Sequence, residues 1–212
     1  LPFMRFSEGT IGGITARPFR ISFSGELSYE IAVPASDGQA FWDMCIEAGK
    51  EFGIQPYGTE CLHVMRAEKG FIMIGDETDG TVIPQDLNME WALSKKKEDF
   101  LGKRAHLRSH MSDPSRWKLV GLKTVDPNVV IPDGAYATDG TIRENGVKNM
   151  IGRVTSTYFS PTLNRSIAMG LVKFGPNRMG EIIDFPTLEG KIIKAEICNQ
   201  VFLDPEGERQ NV

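Results

Sequence analysis

One change of pattern limits the possible folds more than any other feature of these 212 residues. Up to Met111-Ser112-Asp113-Pro114-Ser115, hairpin and helix patterns alternate; beyond it only strand patterns remain. Trp117 to Val125, Gly152 to Phe159, Ile167 to Phe174 and Lys191 to Val201 read as strands. Turn signals at Asp126-Pro127-Asn128, Asp133-Gly134, Asp139-Gly140 and Gly175-Pro176-Asn177 separate them. Short strands at this spacing point to a β-barrel or jelly roll. The fold class expected is therefore α+β followed by all-β, with one domain over residues 1–111 and a second over 112–212.

The first part opens on a Gly-rich stretch, GTIGGITA, with no clear periodicity. Arg17 to Phe23 and Leu27 to Val33 then form two β-patterned runs joined by Ser24-Gly25-Glu26. Alternation along the second run puts Leu27, Tyr29, Ile31 and Val33 on one face and Ser28, Glu30 and Ala32 on the other. A helix is expected over 37–52, where Phe41, Met44, Cys45, Ala48 and Phe52 recur in helical phase and Gly53 ends the run. A second is expected over 60–69, capped by Thr59 and stopped by Gly70. A short helix follows around 104–109.

Hydrophobic residues make up 41% and charged residues 25%, ordinary for a soluble globular chain. A net charge of −4 argues against a nucleic-acid partner, which needs a basic face. No apolar run is long enough to cross a membrane, and LPFMRFSEGT has no signal-peptide pattern. The three cysteines, Cys45, Cys61 and Cys198, form no C-x-x-C pair, so a reducing compartment, the cytoplasm, is the expected location.

No nucleophile elbow, phosphate-binding loop or zinc-protease motif is present. His106 and His110 are four apart without an evident third ligand, so no metal site is expected. Glu30 is the carboxylate of interest. On a strand beside an aromatic residue, its two oxygens can accept parallel hydrogen bonds from a planar donor pair, such as a guanidinium or the amino-pyrimidinone edge of a pterin. On pattern alone a solvated face is the plainer reading of Glu30. On pattern alone Trp91 likewise reads more plainly as a core or interdomain aromatic, and Phe23 and Tyr29 as core. Arg66 and Glu68 read as a surface pair, and Lys95-Lys96-Lys97 as a solvated loop or an attraction for an anionic ligand tail.

Several stretches together resemble the aminomethyltransferase (glycine-cleavage T-protein) family. FSGELSYEIAVP resembles its Y-T-G-E-x-G-x-E-I-x-V-P. MRAEKGFIMIGDETDGTVIPQDLNMEWAL, DFLGKRAHL and GRVTSTYFSPTLNRSIAMGLV resemble its later motifs at consistent spacing. R-A-E-K-G-F is most similar to the carboxy-terminal part of the family's sarcosine oxidase α-subunit branch. The resemblance implies part of a T-protein-like, folate-binding α+β domain followed by the family's barrel. It also implies tetrahydrofolate as ligand, with Glu30 on the pterin edge and Phe23, Tyr29 and Trp91 lining the site. The family's catalytic aspartate would lie upstream, so no catalytic residue is expected in this chain. Flavin and NAD would sit elsewhere in the parent complex, and the partners would be the rest of the α subunit and the other oxidase subunits. The alternatives are a fragment of a stand-alone aminomethyltransferase, or a module of this fold without bound folate. Leu62 at the position of the family's folate-site arginine keeps the last one open.

Overall fold

The computed structural model describes residues 1–211. They form two compact units, Leu1–Arg66 with the C-terminal residues from Asp204, and Ala67–Leu203. The change of pattern near Met111 lies inside the second unit.

The first unit holds a three-stranded antiparallel sheet in the order β1 (Gly9–Ile11), β2 (Ile14–Phe19), β3 (Glu30–Ala32). The Gly-rich stretch that showed no periodicity supplies β1 and its turn. Gly12 and Gly13 both have positive φ, 56° and 84°, the backbone of a tight two-residue hairpin that other residues adopt at a cost. Phe6 continues the β1 side of the ladder opposite Phe19, and the two rings stack 5.6 Å apart.

The second hairpin differs from its sequence reading. Its strands pair only at Arg17–Ala32, Pro18–Ile31 and Phe19–Glu30, so Arg20 to Tyr29 form one long loop, and Phe23 lies in that loop rather than on a strand. Local polar bonds compete with the ladder there. The Gly25 N–H donates to Ser22 Oγ at 3.0 Å and the Glu26 N–H to Ser24 Oγ at 3.4 Å. Leu27, Tyr29 and Ile31 are exposed, so the alternation along this run marks no buried face within the described residues.

Helix α1 (Gly38–Gly49) continues through a 3₁₀ turn to Phe52 and ends at Gly53, whose φ of 71° is the left-handed cap expected. Helix α2 (Thr59–Glu68) is also close to expectation and ends at Gly70, again with φ of 71°. Arg66 and Glu68 are buried, not a surface pair. Helix α3 is a single turn, Lys103–His106.

The second unit contains a closed six-stranded antiparallel barrel in the ring order β4 (Trp117–Thr124), β7 (Arg165–Lys173), β6 (Lys148–Ser160), β5 (Tyr136–Ile142), β8 (Ile182–Pro186), β9 (Ile192–Cys198). Four of these strands coincide with the strand-patterned runs. Strand β5 is interrupted in pattern by Asp139-Gly140, and β8 is only five residues long and ends in proline. Val120, Leu122, Val154, Ala168, Val172, Phe185 and Ile197 fill the interior. The outer faces of β4 and β7 are covered too: Leu119, Met169 and Leu171 pack against Leu87, Ile72, Val82 and Phe202. Burial on both faces is why β7 is an almost unbroken apolar run, SIAMGLV.

Candidate functional site

The site proposed from the sequence centres on the loop between β2 and β3. Glu30 is the first residue of β3, and its main chain is set opposite Phe19. Its side chain is exposed, and among the described residues no donor reaches the carboxylate. Two acceptor oxygens are thus available on a backbone that the ladder holds in place. Tyr29 precedes it, half exposed, with its ring centroid 5.3 Å from the Arg20 guanidinium carbon. Phe23 is half-buried earlier in the same loop. These three belong to the first unit. Trp91 belongs to the second, on a 3₁₀ turn over Glu90–Ala92, where it is 77% exposed and contributes to neither apolar core.

The other acidic residues of the motif-bearing segment serve a different purpose, within the second unit. Glu77 is fully buried. Its carboxylate accepts from the Met73 N–H at 2.8 Å, from Thr155 Oγ1 at 2.9 Å and from the Ser156 hydroxyl. A register shift between Val154 and Ser156 makes Thr155 an extra residue in β6, which turns both hydroxyls toward one carboxylate. Glu68 accepts from Ser160 Oγ, two residues before the end of the same motif's Ser-Pro-Thr. Asp86 takes a forked bond from Arg116 and caps its own 3₁₀ turn, Pro84–Leu87, by accepting from the Ile83 N–H at 3.0 Å. Asp79 accepts from the Thr81 N–H and hydroxyl at 2.7 and 2.6 Å and pairs with Arg153 at 2.7 Å. The Thr81 bonds first, and then Arg153, hold the Asp79 carboxyl down at about 2. Residues 68–86 are in this way tied to the barrel wall. Sequence reasoning missed these ties because the residues joined are some 30 to 90 positions apart.

Leu62 is half-buried on α2 and provides no charge. Lys95, Lys96 and Lys97 are exposed. No group of acidic, histidine and cysteine side chains suited to a metal ion occurs among the described residues. Among the described residues no helix is long and apolar enough to cross a membrane. A cavity of about 820 Å³ on the barrel, lined by Tyr136, Met150, Leu188 and Ile193 among others, includes none of the four candidate residues.

Residues 1–97 match the family model of the GCVT N-terminal domain, and residues 118–204 match that of the glycine cleavage T-protein C-terminal barrel domain. The chain belongs to the glycine-cleavage T-protein family. The structure agrees. The aminomethyltransferase of the glycine cleavage system from Bartonella henselae superimposes with a TM-score of 0.79 at 28% identity, over 96% of this chain and 53% of that one. In sequence, the chain is 46% identical to the sarcosine oxidase α subunit of Corynebacterium sp. (strain P-1), over 99% of this chain. It is 40% identical to that of Rhizobium meliloti (strain 1021). The aminomethyltransferase of Halothermothrix orenii is 32% identical over 96% of this chain. The chain spans 22% of the length of the Corynebacterium relative and 54% of the Halothermothrix one. The similar proteins thus include both sarcosine oxidase α subunits and aminomethyltransferases, and identity is higher to the former.

Proposed function

We propose that this chain is the folate-binding carboxy-terminal part of a sarcosine oxidase α subunit, in which tetrahydrofolate takes up the one-carbon unit of oxidised sarcosine as methylenetetrahydrofolate. The observation that carries the site is the Glu30 carboxylate: exposed, without a donor among the described residues, and on a strand whose main chain is paired to its neighbour. A pterin edge offers two parallel N–H donors, and a carboxylate is the protein group that accepts both. The pair of acceptor oxygens therefore fits the ligand at this end.

Bound folate supplies a nucleophilic nitrogen for a one-carbon unit. The residues of this chain do the positioning. Glu30 accepts the pterin N–H pair and fixes the plane of the ring, while the faces of Tyr29 and Phe23 offer stacking surface and exclude water. Glu30 moves no proton. The aspartate expected to act in the chemistry, and the flavin and NAD of the oxidase, belong to other parts of the parent enzyme and its subunits. The higher identity to oxidase α subunits than to aminomethyltransferases supports the oxidase reading over the transferase one.

Calorimetric titration of the full-length protein with tetrahydrofolate tests the assignment. The Glu30→Ala substitution removes a charged hydrogen-bond partner and should cost about 1.5–3 kcal/mol, roughly ten- to a hundredfold in Kd. Equal affinity in the variant would overturn the role of Glu30. Absence of binding in the parent would favour a module that keeps the fold without the ligand.

A further inference from the structure

The sheet of the first unit and its long loop bury one charged side chain among the described residues, Arg20, which is 4% exposed. It follows directly on β2, and its main chain pairs with the N-terminal segment: the Arg20 N–H donates to the Arg5 carbonyl and the Met4 N–H to the Arg20 carbonyl, both at 2.8 Å. Its guanidinium carbon lies 5.3 Å from the Tyr29 ring and 5.9 Å from the Phe3 ring. Among the described residues its side-chain bonds go to main-chain carbonyls, not carboxylates. Nη1 donates to the Ser28 carbonyl at 3.4 Å, and Nη2 donates to the Gln210 carbonyl. Gln210 is itself buried, on a 3₁₀ turn over Glu208–Gln210 near the C-terminal end of the chain. The residue before it makes a second tie, Arg209 Nη1 to Glu26 Oε1 at 2.9 Å. The turn is anchored from within the segment: the Asp204 carboxylate accepts from the Glu208 N–H at 3.0 Å and the Arg209 N–H at 3.2 Å.

Two adjacent residues of the C-terminal segment thus hold two points of the loop that leads into Tyr29 and Glu30. The loop needs holding. It runs from Arg20 to Tyr29, and the ladder that closes it is three pairs long and includes Pro18, which has no N–H to give. A loop of this length left to itself samples many conformations, and a ligand would then bear the ordering cost on binding.

We propose that residues 204–211 are a positioning element for the candidate site, acting through Arg20 and Arg209 to set the loop before ligand arrives. The ligand part of this rests on the folate reading of Glu30; the tie between segment and loop does not. Arg20 is a positioning residue here. It lies behind Tyr29, with its guanidinium spread over loop and tail at once, a reach that lysine's single ammonium cannot reproduce.

The test uses the full-length protein and two readouts, hydrogen exchange of peptides covering 22–32, with the β7 peptide as internal reference, and titration with tetrahydrofolate. Arg209→Glu places like charges at Glu26, and Glu26→Arg combined with Arg209→Glu restores the pair in reverse. Arg20→Lys keeps charge and removes the fork. Arg209→Glu and Arg20→Lys should each speed exchange over 22–32 and weaken tetrahydrofolate by about three- to tenfold, with β7 unchanged. The charge-reversed pair should recover both, a rescue that a mere loss of stability would not show. Exchange equal to the parent in both single variants overturns the tie. Faster exchange with undiminished affinity, in a protein whose Glu30→Ala variant does lose affinity, overturns the positioning role. If Glu30→Ala leaves affinity intact, the folate reading and the positioning role both fall, and the exchange data show that failure to be separate from the tie.

Discussion

Asp86 and Arg116 offer a direct measure of how much the motif segment depends on its ties to the barrel. Asp86 is 2% exposed, and its two oxygens take Arg116 Nε at 3.0 and 3.2 Å and Nη2 at 2.5 Å, besides the Ile83 N–H. Arg116 also donates to the Thr81 carbonyl at 2.7 Å, and only 12% of its side chain remains exposed. Asp86→Asn keeps the shape and removes the charge. The guanidinium then keeps one amide oxygen and the Thr81 carbonyl as acceptors but is largely desolvated without its counter-charge, and breaking such a pair from one side costs about 3–5 kcal/mol. The Thr81 bond and the exposed edge put the expected loss at the lower end, about 3 kcal/mol, or roughly 10 °C in the melting of the barrel unit. Asp86→Asn combined with Arg116→Met removes both charges and leaves none stranded. That double variant should recover a large part of the loss, with a coupling of about 2 kcal/mol between the two positions. Urea unfolding followed by tryptophan fluorescence reads both quantities, since Trp117 adjoins Arg116 and packs against the outer apolar cluster. A loss under about 1 kcal/mol for Asp86→Asn, or strict additivity in the double variant, would refute the view that this pair carries its segment.

Further outcomes follow from single features. Gly70→Ala should destabilise the second unit by about 1–3 kcal/mol in thermal unfolding, because φ is 71° and a Cβ would stand 2.6 Å from the Gln200 carbonyl oxygen. The Asp79 carboxyl is depressed from 3.8 to about 2, so its contribution is present above the unfolded value and is lost as pH falls through the folded one. Stability should therefore drop across this acid range, and Asp79→Asn should flatten the drop; an unchanged acid limb in the variant would contradict the role of the Thr81 and Arg153 bonds. Burial pushes the Cys198 thiol up to about 11, whereas Cys61 is exposed. Iodoacetamide at pH 8, read by peptide mass spectrometry, should label Cys61 well before Cys198, and equal rates would contradict this burial.

Much of the architecture was legible from local pattern. The α+β to all-β change, both helices with their glycine stops, and four barrel strands rest on periodicity and turn chemistry, which act within a few residues. The misreadings have the same origin. Gly12-Gly13 was a hairpin turn flanked by strands of three and six residues, too short for alternation to show. Strand β5 contains Asp139-Gly140, residues that read as a turn and that the ladder takes up as extra residues of β5 itself between Thr138 and Ile142. The loop from Arg20 to Tyr29 alternates like a strand, yet its serines bond locally and Leu27 and Tyr29 stay exposed.

The candidate site divides along the same line. Glu30 and Tyr29 were readable because they are neighbours in sequence within one motif. The amino-acid sequence by itself determined the family, the change from mixed to all-β pattern and a carboxylate beside an aromatic ring, all properties of short segments or of their spacing. Only the tertiary structure decided which carboxylates are occupied. Glu68, Glu77 and Asp86 look no different in sequence from Glu30, but folding brings Ser160, Thr155 and Arg116 onto them, and Glu30 receives no donor among the described residues. The structure alone also carried Gln210 and Arg209 back to Arg20 and Glu26 across more than 180 residues. A charged group's role depends on what desolvates and pairs it, and that partner is chosen by the fold, not by the neighbouring letters.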